Sequence, residues 1–241
     1  KVKVDNLTGG ISSLIEKSTG SELVKDDSPM GLLELITERA HGMSAWVIGQ
    51  TMKSEMLLEL KSLNHAGGPY KSEHTAKILF GDSTVDVKTI VRAGDPKVEI
   101  KLNVFWRERG NNEKGVPNLR ITFPSAVEDM SSTFETPYGS VGRELFNGEE
   151  VPTLTWVDIA GKVKKGGKTG FTLVNDCKNG HSITDDTLRV TLLRASYEPD
   201  PLPDQADHEI RVAVIPHDND WTPGDSIRAG RGFGQPVQVI G

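Results

Sequence analysis

The stretch Val98–Arg107 constrains the fold most. Val98, Ile100, Leu102, Val104 and Trp106 alternate with Glu99, Lys101, Asn103, Phe105 and Arg107, the period-two pattern of a strand with one face buried and the other wet. Leu188, Val190 and Leu192 alternate in the same way with Arg189 and Thr191, as do Ile210, Val212 and Val214 with Arg211 and Ala213. Turn residues punctuate these runs at Thr8-Gly9-Gly10, Lys17–Gly20, Gly81-Asp82, Ala93–Pro96 and Asn111–Gly115. Strands are therefore expected at Lys1–Val4, Ile11–Ile15, Leu23-Val24, Gly31–Arg39, Thr75–Phe80, Thr84–Arg92, Lys97–Arg107, Leu119–Phe123 and Val151–Ile159. Three more are expected within Gly170–Asp220, and a last one at Phe233–Ile240. Met52–Ser62 has helical propensity, but its alternation favours a strand. Asn64–Pro69 and the proline-rich Tyr197–Pro203 read as loops, and Lys162–Lys168 as a basic hairpin tip. Strands at this density without a sustained helix predict an all-β fold, a large antiparallel β-sandwich forming one domain over residues 1–241.

Charge and cysteine usage narrow the partners. A net charge of −6 argues against nucleic acid and anionic membrane surfaces. No apolar run approaches a membrane span. The single cysteine, Cys177, excludes an internal disulfide, so a cytoplasmic location is expected. It reads as a small buried hydrophobe and not as a nucleophile. Six histidines are scattered without ligand spacing, so no metal is expected in this chain. The loop acids Asp185-Asp186, Asp200, Asp204, Asp207 and Glu209 form no carboxyl pair that the sequence marks as catalytic.

The candidate functional segment is Asn175–His181, a polar loop between patterned strands. Asn175 offers a donor and an acceptor, Asp176 accepts from hydroxyls, Lys178 donates, and His181 closes the set, side chains of the kind that read sugars. Asn175 and Asp176 serve equally well as turn caps, with Gly180 supplying a positive φ.

NDCKNGHS, followed by LRVTLLRASYEPDP and DQADHEIRVAVIPH, resembles the C-terminal β-domain of glycoside hydrolase family 38, the retaining α-mannosidases. ETPYGSVGRELFNGEEVPTLTWVDIAG and the N-terminal NLTGGISSLIEKSTGSELV are similar to the segments that precede those words, and the likeness is thinnest between about Thr51 and Val98. The resemblance implies a super-sandwich like that of galactose mutarotase. It implies a chain that is the C-terminal portion of a larger enzyme hydrolysing α-mannosides. The aspartate nucleophile and the divalent metal, usually zinc, then belong to an N-terminal α/β catalytic domain of the same polypeptide, and the isolated chain is expected to be inactive. The loop bearing Lys178 would approach the substrate pocket from the β side. Around Trp46 (HGMSAWVIG) the acidic neighbours usual in the family are missing, so core packing is expected for Trp46, as for Trp106, Trp156 and Trp221. A free-standing carbohydrate-binding module of the same fold is the alternative. An independent mutarotase-type enzyme would need a histidine pair and a glutamate in one cleft.

Overall fold

The computed structural model describes residues 1–143, 148–164 and 167–235. Its strands are Val2–Val4 (β1), Ile11–Leu14 (β2), Leu32–Glu38 (β3), Thr51–Met56 (β4), Leu60–Gly67 (β5), Lys71–Phe80 (β6), Ser83–Arg92 (β7), Val98–Phe105 (β8), Val116–Pro124 (β9), Glu128–Thr136 (β10), Gly139–Arg143 (β11), Val151–Pro152 (β12), Trp156–Lys162 (β13), Lys168–Asn175 (β14), Gly180–Thr184 (β15), Thr187–Arg194 (β16) and Asp207–Asp218 (β17). One helix, Pro223–Gly234 (α1), follows. A nine-stranded sheet has the order β11-β10-β13-β14-β17-β8-β7-β6-β5, and a six-stranded sheet the order β12-β15-β16-β9-β3-β4. Every pairing is antiparallel, and β1 with β2 forms a separate ribbon.

The expected β-sandwich is present. Val98, Ile100, Leu102 and Val104 of β8 are buried in one apolar cluster with Phe171 and Leu173 of β14, Ile121 and Phe123 of β9, and Leu188 and Val190 of β16. Side chains from both sheets thus meet in one core, which is what the period-two runs require of two facing sheets. Trp106 and Trp156 are fully buried, and Trp221 packs partly buried beside the helix.

Local corrections follow from tertiary context. The run Met52–Ser62 is two strands broken at Leu57–Glu59, and both sit on sheet edges. Edge position explains why β4 is exposed along its whole length and carries Lys53 and Glu55, charges that discourage further pairing. Asn64–Gly67 is strand and not loop, because β5 pairs residue by residue with β6 up to Gly67↔Ser72. Val151–Ile159 is divided between two sheets, β12 pairing with β15 and β13 with β10 and β14. Strands β10 and β11 carry little alternation in sequence and are ordered by pairing. Residues 165–166 of the basic turn lie outside the described residues, although β13 and β14 pair as a hairpin up to Lys162↔Lys168.

The helix was not legible. Four of its twelve residues are glycine, a composition unfavourable to helix. Its start is well built: Pro223 stands in the first turn, and the Asp225 carboxylate accepts from the Thr222 amide at 2.9 Å and the Thr222 hydroxyl at 2.6 Å. Phe233 and Ile227 then pack on Trp156, Val174, Ala213 and Ile215, the outward side chains of the nine-stranded sheet. Gly230 permits that approach, since a Cβ there would stand 2.4 Å from Thr155 Oγ1 and 3.0 Å from Trp156. Phe233 therefore belongs to a helix and not to a closing strand, and residues 236–240 of that expected strand lie outside the described residues.

Candidate functional site

Asn175 ends β14 and is buried, 1 % exposed. Its amide donates to the Thr155 carbonyl at 2.9 Å and its side-chain Nδ2 to the Leu154 carbonyl at 3.2 Å, while Oδ1 accepts from the Lys178 amide at 2.7 Å. That last bond makes Asn175 the cap of the 176–178 turn, and every polar atom of its side chain is engaged by the protein. Asp176 is tied to β17. Its Oδ1 accepts from the Arg211 amide at 3.1 Å and Oδ2 from Arg211 Nε at 3.0 Å, and its own amide donates to the Arg211 carbonyl at 3.2 Å. The Arg211 guanidinium also lies 5.1 Å over the Phe233 ring, linking the loop to the end of α1. The loop's far side is fixed by the Thr153 amide, which donates to the Asn179 carbonyl at 2.9 Å.

Lys178 is half-buried, and among the described residues its ammonium has no ion-pair partner. It is the side chain of the four that this rigid turn leaves available to another molecule. Cys177 is exposed, a correction of the buried position expected from sequence. Partial shielding of its sulfur from water and the adjacent Asp176 carboxylate push the thiol up to about 11, so it is protonated at neutral pH and a poor nucleophile.

His181 does not belong to the loop. The turn ends at Gly180, where β15 begins, and Gly180 is not among the glycines with positive φ. His181 pairs with Val151 and Val190 and is 0 % exposed. Val190 is a core residue, so the imidazole shares the inner face of the six-stranded sheet. Burial pushes it down to about 4, against an opposing influence of the Asn179 backbone. It is a neutral core histidine and cannot meet a substrate from the surface.

Among the described residues no three His, Cys, Asp or Glu side chains converge as a metal site. His65 and His74 do face each other across β5 and β6 with ring centroids 4.4 Å apart, but no third ligand joins them. The described residues therefore offer no donor set that fits the zinc ion implied by the family resemblance. No helix among the described residues is long and apolar enough to cross a membrane.

The segment that sequence reasoning undervalued is the loop 39–50. Trp46 is 70 % exposed and not in the core, and Met43, Val47 and Ile48 are exposed with it. The polypeptide beneath is rigidly held. Arg194 Nε and Nη2 donate to the two Glu38 oxygens at 2.7 Å each; Nη2 donates also to the Val47 carbonyl at 2.9 Å and Nη1 to that of Ser44. The Ser44 hydroxyl accepts from the Tyr197 and Glu198 amides at 3.0 Å each, and the Tyr197 hydroxyl donates to the His41 carbonyl at 2.8 Å. Only the tertiary structure brings Glu38, Ser44, Arg194 and Tyr197 together. Their sequence signal was an acid and an arginine at the ends of two strands.

Residues 1–202 match the family described as glycosyl hydrolases family 38 C-terminal domain. This chain belongs to that family. It is 25% identical over 252 residues to human alpha-mannosidase 2C1, an alignment covering 100% of this chain and 23% of that protein. To the alpha-mannosidase of Saccharomyces cerevisiae it is 30% identical over 241 residues, covering 90% of this chain and 21% of the yeast protein. Among solved structures, an alpha-mannosidase from Enterococcus faecalis superposes with a TM-score of 0.76 at 13% identity, covering 98% of this chain and 30% of that one. The family 38 chain thus spans about a quarter of the length of the curated relatives it matches. What it shares with them is the C-terminal β-domain of a larger glycosidase.

Proposed function

We propose that this chain is the C-terminal β-domain of an enzyme that hydrolyses terminal α-mannosides, where it supports an N-terminal catalytic domain of the same polypeptide and completes its substrate pocket. The observation that carries the reading is the family 38 match over residues 1–202 in a chain covering about a quarter of its α-mannosidase relatives. Residues 1–241 act as one β-domain, and the nucleophile, the acid and the zinc site lie in the remainder. The chain's own chemistry is positional. Asn175 and Asp176 hold the turn, and Lys178 presents three N–H donors on a preset backbone, so little ordering entropy opposes a contact to a sugar hydroxyl. Two surface clefts, of 530 Å3 beside Tyr70 and Pro96 and 710 Å3 beside Val24 and Val163, lie away from this turn. The turn suits one wall of a pocket whose other walls belong to another domain. A chain whose single cysteine forms no internal disulfide suits a reducing, cytoplasmic setting.

Activity on an aryl α-mannoside tests the proposal. The polypeptide that carries this chain as its C-terminal part is expected to hydrolyse it, and residues 1–241 alone to be inert with or without zinc. An inert longer polypeptide, together with mannoside binding by residues 1–241 alone, would replace the reading with a free-standing binding module.

A further inference from the structure

The two sheets differ in what covers their outer faces. On the nine-stranded sheet, α1 lies over Trp156, Val174, Ala213 and Ile215. On the six-stranded sheet the outward side chains are those that alternate with the core residues Leu33, Leu119, Ile121 and Val190. They include Glu34, Arg120, Arg189 and Thr191, and among the described residues no helix packs on them.

This face has a mixed character that solvent alone does not select, and the chain itself covers part of it: Ile36, Glu38 and Asn118 are buried by the 39–50 loop, and the Thr191 hydroxyl donates to Glu150. Its floor is charged and recessed. Glu34 is 7 % exposed, accepts from the Ser54 hydroxyl at 2.6 Å and pairs with Arg189 Nε at 3.2 Å. Arg120 lies beside them with a buried Nε that donates to no described residue. Its margin is apolar. Met52 on β4 is 65 % exposed, the 39–50 loop adds Met43, Trp46, Val47 and Ile48, and Met56 and Leu58 line a cleft of 330 Å3 with Arg189. A flexible loop could fold such side chains away. This one is pinned by Arg194, Glu38, Ser44 and Tyr197, so the apolar surface is held out in place.

Position adds a further constraint. The end of β3, the start of β9, the end of β16 and the start of β15 lie side by side, through Glu38↔Val116, Asn118↔Arg194 and His181↔Val190. The 39–50 loop and the 175–179 turn therefore leave the six-stranded sheet at the same end.

We propose that the apolar margin of the six-stranded sheet's outer face, from Trp46 along Met52 to Met56, is the docking surface for the N-terminal remainder of the α-mannosidase polypeptide. The inference rests on the function proposed above and adds which face is used. The amount of chain to be accommodated argues for that occupant, since the relatives have roughly three quarters of their length outside the matched region. The exposed apolar margin calls for an occupant that offers apolar side chains and a lasting, dry contact. An occupant seated there would also lie beside the end that carries Lys178.

Hydroxyl-radical footprinting of the intact polypeptide reads the face directly, each residue normalised to its own rate in the guanidine-unfolded chain. Trp46, Met43 and Met52 are expected to react about tenfold more slowly than when unfolded, as side chains in a dry interface core do. Rates close to the unfolded ones overturn the proposal. Protection that vanishes when the polypeptide is diluted to a sedimenting monomer also overturns it, because the occupant is then a second copy. Concentration-independent protection in a polypeptide that hydrolyses no α-mannoside supports the docking face while the enzymatic reading fails, so the two are separable.

Discussion

His181 makes the stability of this domain depend on pH in a way that can be worked out beforehand. The ring is fully buried on the inner face of the six-stranded sheet and its pKa is pushed down to about 4, against about 6.5 in an unfolded chain. A histidine with a lowered folded pKa leaves the unfolded state the stronger proton binder between those values. Its contribution is therefore neutral above about pH 6.5 and increasingly destabilising as pH falls from 6.5 towards 4. At about 1.36 kcal/mol per pKa unit the full effect is about 3 kcal/mol, of which about 2 kcal/mol is reached at pH 5. Urea denaturation at pH 7 and pH 5 measures it, with His181→Leu as the reference that cannot titrate. Wild type should lose about 2 kcal/mol more than the variant between the two pH values. At pH 7 the variant should be close to wild type, since neither ring nitrogen donates to or accepts from a described residue. Equal losses in the two proteins would refute the buried, neutral histidine, and with it the placement of β15.

Three further outcomes are expected. Asp176→Ala removes the acceptor of two Arg211 donors in a half-buried setting and should lower stability by about 1–3 kcal/mol, with Arg211→Ala adding less than its single effect in a double-mutant cycle; strict additivity would show the pair uncoupled. Lys178→Ala in the intact polypeptide should leave the denaturation midpoint almost unmoved, within about 0.5 kcal/mol, yet lower kcat/KM about tenfold; wild-type kinetics would make the turn purely structural. Arg194→Ala strands the fully buried Glu38 carboxylate and should cost about 3–5 kcal/mol, most of it recovered in Arg194→Ala/Glu38→Gln; a mild single-variant effect would argue that the 39–50 loop is not held from below.

Much of the architecture was legible because a strand buried on one side must alternate. Val98 to Val104, Leu188 to Leu192 and Ile210 to Val214 therefore announced both their conformation and their inward faces. The words around NDCKNGHS carried the family, and residues 1–202 match it. Tertiary structure decided what pattern does not encode. A glycine-rich segment became α1 because the outward face of β13, β14 and β17 offered it apolar surface, and a weak local preference yields to burial. Asn175 and Asp176 are equally suited to a sugar and to a turn; partners distant in sequence, Leu154 and Arg211, assigned them to the turn. His181 looked like the end of a polar loop until the pairing of β15 with β12 and β16 rotated it into the core, since moving one residue along a strand exchanges its two faces. Trp46 looked like core, but the contacts that fix its loop are made by Glu38, Ser44, Arg194 and Tyr197, and they leave the indole facing outward. Alternation is a property of neighbours in the chain and survives in the sequence, whereas capping, burial of a lone polar group and display of an apolar one depend on residues brought together only by folding.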